Sequence, residues 1–204
     1  MIAIDAETRR RWLKGAILPA IGILLVLAAL PWFFQGKGGD ADASAPNPVV
    51  TPTAWTIKIA SVNVDAPLVG IDATSSLTLD PPRNPQQVGW WKQSATPGAK
   101  AGKTVVTGHT VHTGGGQFDH IGNLTKGAEI TIISAATTVT YRVVRIQKIS
   151  KAEVDKDAMN LFGQKNPHNV LELITCSDWT GHSYLTNTFV WATPIRVAPT
   201  APAA

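Results

Sequence analysis

The chain has 204 residues, 44% hydrophobic and 16% charged, which is enough apolar material for one sizeable core and excludes wholesale disorder. Net charge is +4, and part of the excess sits in the N-terminal run Arg9, Arg10, Arg11 and Lys14. A nucleic-acid footprint would instead need a basic face on the folded part.

Residues 15–34 form an uncharged run, GAILPAIGILLVLAALPWFF, of the ~20 residues that cross a bilayer as a helix. Pro19 and Pro31 lie near its ends, and Trp32, Phe33 and Phe34 sit where an interfacial aromatic belt belongs. The arginines precede the span, so residues 1–14 are expected in the cytoplasm and everything after Phe34 outside. A cleaved signal peptide is the competing reading, with Ala41-Asp42-Ala43 as a small-x-small site. The run is long for that, and the site lies far downstream. Residues 35–51, rich in Gly, Ala, Asp, Ser and Pro, read as a flexible linker. The folded domain is expected over 52–197, with a frayed tail at 198–204.

Within the domain the pattern is strand-like. Residues 55–59 alternate, and 62–65 do so more weakly. Short β-rich runs follow at 103–107, at 129–133 after the turn signal Lys126-Gly127, at 138–149, at 171–175 and at 188–192. Strands of this spacing, broken by Gly, Pro and Asn, predict an all-β barrel or sandwich. One short helix is predicted over 150–161, with Ser150 as cap and Glu153 as its capping-box partner.

The chain's one cysteine, Cys176, rules out an intramolecular disulfide. A free cysteine is commonly a buried structural thiol. Cys176, however, directly follows an apolar strand and precedes the polar stretch 177–182, where a rigid sheet would present a nucleophile to a loop. A thiolate needs a nearby base or cation. Of His109, His112, His120, His168 and His182, only His109 also follows a strand, 103–107 and the Gly108 turn. A strand-end histidine and a strand-end cysteine can face each other across a barrel rim. His109, His112, His120 and Cys176 could alternatively supply four metal ligands, but H-x-x-H followed by a third histidine matches no common zinc pattern. No metal or other cofactor is expected. Gly114-Gly115-Gly116 lacks the Lys-Ser/Thr of a phosphate loop and reads as a flexible loop beside His109.

The stretch VVTGHTVHTGGGQFDHIGNLTKGAEITI resembles the histidine motif of the sortases, and ELITCSDW resembles their cysteine motif. IKIASVNVDAPLVGI, SLTLDPP, VGWWKQSATPGAKAGKTVV and FVWATPI are similar to the remaining strands, particularly of classes E and F, so the resemblance spans about residues 53–197. It implies an eight-stranded β-barrel with short helices behind one N-terminal transmembrane helix, and a two-step acyl transfer. Cys176 would attack the threonine carbonyl of a Leu-Pro-x-Thr-Gly-like sorting signal on a secreted protein. His109 would protonate the departing amine. An amine of a cell-wall precursor or a pilin would then resolve the thioacyl intermediate.

One position departs from the family. The arginine near the start of the last strand falls here on Leu185 or Asn187. Asn187 could lend amide donors to an oxyanion but carries no charge. Arg83, Arg142, Arg145 and Arg196 are the domain's arginines, and strict alternation predicts Arg142 and Arg145 on opposite faces of one strand. Two functions follow from these residues: a working cysteine transpeptidase, or a sortase-like protein that binds sorting-signal peptides with little turnover.

Overall fold

The computed structural model describes residues 55–75 and 78–201. The expected span at 15–34 and linker at 35–51 lie outside the described residues. Among the described residues eight strands are present: β1 (Trp55–Ile59), β2 (Val64–Ile71), β3 (Val88–Trp91), β4 (Lys103–Thr107), β5 (Glu129–Ile133), β6 (Thr137–Ser150), β7 (Val170–Trp179) and β8 (Tyr184–Pro199). They close into a barrel in the order β1-β2-β3-β4-β7-β8-β6-β5. The β2–β3 and β4–β7 pairs are parallel.

Period-two alternation fills the interior. Ile57 and Ile59 of β1 face Ala66 and Val64 of β2, and Ile130 and Ile132 of β5 join Val139 and Tyr141 of β6. β4 departs from alternation, because Thr104, Val105, Val106 and Thr107 are all buried. Val106 points into the barrel, while Val105 belongs to a second cluster on the outer face with Ile174, Phe189 and Ile149. That face is covered by two short helices, α1 (Lys151–Lys156) and α2 (Ala158–Phe162), through Val154, Ala158, Leu161 and Phe162. Burying one such side chain stabilises the fold by about 1.5–3 kcal/mol.

The capping box is present: the Ser150 hydroxyl accepts from Glu153 N–H, and the Glu153 carboxylate accepts from Ser150 N–H. The predicted single helix is two, broken where Asp157 leaves helical geometry at φ −107 and ψ 16.

β8 extends well beyond the predicted 188–192, because it pairs with β6 along one edge and β7 along the other. Its last rung is Thr137 against Pro199, inside the segment expected to fray. Arg142 and Arg145 do not lie on opposite faces. A β-bulge at Val144 puts Arg142 opposite Thr193 and Arg145 opposite Trp191, two residues apart on β8, so both arginines point outward.

The pairings arrange the outer face in rows. Glu172 of β7 lies beside Trp191 of β8 and Arg145 of β6; Ile174 beside Phe189 and Gln147; Cys176 beside Asn187 and Ile149. Glu172 is fully buried. Its Oε2 accepts from Trp191 Nε1 at 2.7 Å and lies 3.9 Å from Lys103 Nζ, while its Oε1 has no partner. Burial dominates and raises its pKa from 4.5 to about 7, against the Lys103 charge and the Trp191 hydrogen bond. The folded state therefore binds more protons than the unfolded chain between those values. The contribution of Glu172 is complete below about pH 4.5 and is lost as pH rises through about 7. Urea midpoints measured from pH 4.5 to 8 should show Glu172→Gln gaining on the wild type as pH rises; parallel profiles would contradict this.

Candidate active site

The parallel β4–β7 ladder sets Thr107 beside Ile174. It continues one rung further, with Gly108 N–H donating to Ile174 O at 3.1 Å. His109 is the residue after this last hydrogen bond and Cys176 lies two residues beyond Ile174, so the β4–β7 register brings the loop that carries His109 towards the part of β7 that carries Cys176. Cys176 is carried by β7, and His109 by the loop that follows the neighbouring strand β4. Cys176 is half-buried and lies inside β7 rather than at its end, because the strand continues to the rung Trp179–Tyr184.

Hydrogen bonds fix the backbone on both sides of His109. The Thr175 hydroxyl donates to Gly108 O at 2.8 Å and meets Thr110 Oγ1 at 2.7 Å. One threonine of the cysteine strand therefore holds the residues before and after the histidine. The His109 carbonyl accepts from Phe118 N–H at 3.0 Å. Gly116 packs on that carbonyl so closely that a Cβ there would sit 2.4 Å from it. Asp119 closes the loop, its two oxygens accepting from Val111 N–H and Gly116 N–H at 2.7 and 3.0 Å. Gly114 and Gly115 make the turn at φ +87 and +100, the left-handed region that favours glycine.

His109 Nε2 lies 2.8 Å from Pro82 O. A carbonyl only accepts, so Nε2 carries the proton and Nδ1 is left for proton exchange. Asn187 is buried beside Cys176; its Nδ2 donates to Thr175 O at 3.3 Å and lies 4.0 Å from Cys176 Sγ, and its Oδ1 has no partner. Leu185, the other position considered for the arginine, is exposed.

None of the arginines with a described contact reaches this row. Arg142 pairs with Glu129, Arg196 donates to Thr140, and Arg145 stacks over Trp191 at 4.5 Å. Arg145 stands two strands across and four residues along from Cys176, roughly 16 Å by strand geometry. Among the described residues no group of three or more His, Cys, Asp or Glu side chains could hold a metal ion, so the three histidines and Cys176 do not form a ligand set.

An open cavity of about 700 Å³ adjoins Cys176, with Thr110, His112, Asp119, His120, Lys148 and Tyr184 in its wall. The His112 ring stacks on Trp179 at 4.3 Å and 8°, and Trp179 meets Tyr184 at 4.9 Å. Lys148 pairs with Asp178, whose other oxygen accepts from Thr186 Oγ1 at 2.6 Å; these hydrogen bonds hold the Asp178 pKa down. Sequence reasoning passed over the aromatic trio because it comes from three separate segments. The one legible signal was the aromatic pair Trp179 and Tyr184 flanking a short polar turn.

These features define a closed eight-stranded barrel with a cysteine on β7 and a histidine in the loop after its parallel neighbour β4. The sortase-domain family model matches residues 57–195, and the chain belongs to the sortase family. Sortase E1 from Streptomyces coelicolor, solved with a tripeptide in its active site, is 23% identical, with a TM-score of 0.55 over 72% of this chain and 90% of that one. Sortase C-1 from Actinomyces oris is 21% identical, with a TM-score of 0.58 over 72% and 76%. Sortase A from Corynebacterium diphtheriae is 20% identical, with a TM-score of 0.57 over 74% and 64%. At these identities the likeness shows the fold. No curated protein sequence matches the chain.

A Cβ at Gly108 would meet the Phe118 ring at 2.5 Å. Gly108→Ala should therefore lower stability by about 1–3 kcal/mol, read as a drop in urea midpoint. An unchanged midpoint would show that the ring yields freely.

Proposed function

We propose that this chain is a cysteine transpeptidase that cleaves a Leu-Pro-x-Thr-Gly-like sorting signal on secreted proteins and passes the acyl group to an amine of the cell wall or a pilin. The observation that carries the reading is the parallel β4–β7 register, whose last hydrogen bond, from Gly108 N–H to Ile174 O, lies one residue before His109 and two before Cys176. Family membership supports the substrate class, and the tripeptide bound in the Streptomyces coelicolor enzyme supports a peptide ligand at this face. Residues 15–34 are proposed as a membrane anchor with the N-terminus in the cytoplasm. The anchor would hold enzyme, secreted substrate and acceptor in one layer and raise their effective concentration.

In the proposed reaction the Cys176 thiolate adds to the threonine carbonyl. The carbonyl π pair moves onto oxygen, and collapse breaks the C–N bond. Protonated His109 gives its Nδ1 proton to the departing amine, while Nε2–H stays on Pro82 O. The thioester keeps the acyl group reactive toward an incoming amine, so no ATP is needed. His109 then accepts the amine's proton. Asn187, one of the two positions on which the family's arginine falls, stands in the row of Cys176, and its amide is the proposed neutral stand-in toward the oxyanion.

That same substitution supports a second reading, a sortase-like protein that binds sorting-signal peptides with little turnover. The full-length chain in detergent, incubated with a Leu-Pro-Ala-Thr-Gly peptide and examined by mass spectrometry, separates the two. A thioacyl adduct on Cys176 is expected; peptide binding without an adduct would favour the binding reading. His109→Ala should abolish the adduct and His112→Ala should leave it, and equal loss in both variants would overturn the assignment of the base.

A further inference from the structure

We propose that Gln86 is a positioning residue for His109: its side-chain amide fastens the glycine loop that holds the His109 backbone to the segment whose Pro82 carbonyl receives the imidazole. The inference rests on the transpeptidase reading above and names a residue that keeps its base in place.

His109 is held from two directions. Its Nε2 reaches Pro82 O, in the segment before β3, and its carbonyl accepts from Phe118 N–H, in the loop after β4. The ring contact therefore lasts only while those two segments keep a fixed spacing. The Pro82 segment is stiff. Pro82 and Pro85 have fixed φ, and Asn84 is restricted by the proline after it. Gln87 N–H donates to Asn84 O at 3.0 Å, which closes a turn over 84–87. Pro82 also packs on β3 so closely that a Cβ at Gly89 would sit 3.0 Å from its Cδ. The loop after β4 has no such stiffness of its own, because Gly114, Gly115 and Gly116 follow one another in it.

Hydrogen bonds join the two segments. Gln117 N–H donates to Pro85 O at 3.0 Å, Gln86 Nε2 donates to Gly115 O, and Gln117 Nε2 donates to Gln86 Oε1 at 2.9 Å. Two of these three run through Gln86. A backbone carbonyl only accepts, so the Gln86 amide nitrogen faces Gly115, and its oxygen is left for Gln117. Gln86 is exposed, so its side chain serves this clasp and not the core. With the clasp open, the glycine loop is free to carry the His109 backbone away from Pro82. Nε2 then loses its fixed acceptor, and the ring proton is free to settle on Nδ1, the atom that must exchange a proton with the substrate amine.

The test is Gln86→Ala in the full-length chain in detergent, labelled with 15N-histidine. The spectra are taken at about pH 9, where an ordinary imidazole is neutral. The His109 ring nitrogens, identified by their loss in His109→Ala, report the tautomer. In the wild type Nε2 should read as protonated and Nδ1 as bare. In Gln86→Ala both should move toward an averaged position, at an unchanged thermal midpoint. Single-turnover formation of the Cys176 adduct with the Leu-Pro-Ala-Thr-Gly peptide should slow about tenfold, within the ~100-fold that a 1 Å misplacement can cost. Unchanged ring resonances in Gln86→Ala would overturn the proposal and leave the transpeptidase reading intact. An adduct rate within twofold of wild type would also overturn it, and so would a lowered thermal midpoint, because the role would then be structural. If the wild type forms no adduct, the transpeptidase reading falls, and the ring resonances still decide whether Gln86 holds His109.

Discussion

The site depends on one parallel strand pair. Parallel ladders are evenly spaced, and their register fixes which side chains stand side by side. The rung from Thr107 to Ile174 and the Gly108–Ile174 hydrogen bond bring the start of the His109 loop against the strand of Cys176. A slip of one residue would turn one of the two away from the other. Burial guards against that slip. Val106 and Leu173 fill the barrel while Val105 and Ile174 fill the outer cluster, so β4 and β7 are committed on both faces.

The loop after β4 is held by contacts that each serve this pair. Thr175 joins the two sides of His109 to the cysteine strand, Asp119 gathers the N–H groups of Val111 and Gly116, and Pro82 O sets the imidazole tautomer. Groups carried by strands and clamped loops hold reactive geometry better than free loops do. The electrostatics are less complete. Arg145, on this outer face, is spent on Trp191 over buried Glu172, far from the sulfur. The neighbour of Cys176 on β8 is neutral Asn187, whose Oδ1 lacks a partner.

Much of the barrel was legible in the sequence. The runs at 55–59, 103–107 and 129–133 coincide with β1, β4 and β5, because strands with a buried face write their alternation or their β-branched residues into the chain. The Ser150–Glu153 capping box was equally local and was found. Non-local determinants were not legible. The length of β8 depends on having partners on both edges, and the Val144 bulge that turns Arg142 and Arg145 to one side is invisible to strict alternation. Cys176 and His109 could be picked out by position and motif, but their adjacency needed the β4–β7 register. The His112–Trp179–Tyr184 stack, drawn from a loop, a strand end and a strand start, left almost no pattern.

The central claim is that His109, held beside Cys176 by that register, is the group that makes the thiol reactive. The rate of Cys176 alkylation by iodoacetamide at neutral pH measures this directly. The account predicts that His109→Ala slows alkylation about tenfold or more at an unchanged thermal midpoint, since thiolate is the attacking form and a neighbouring imidazolium favours it. Equal rates in wild type and variant would contradict it.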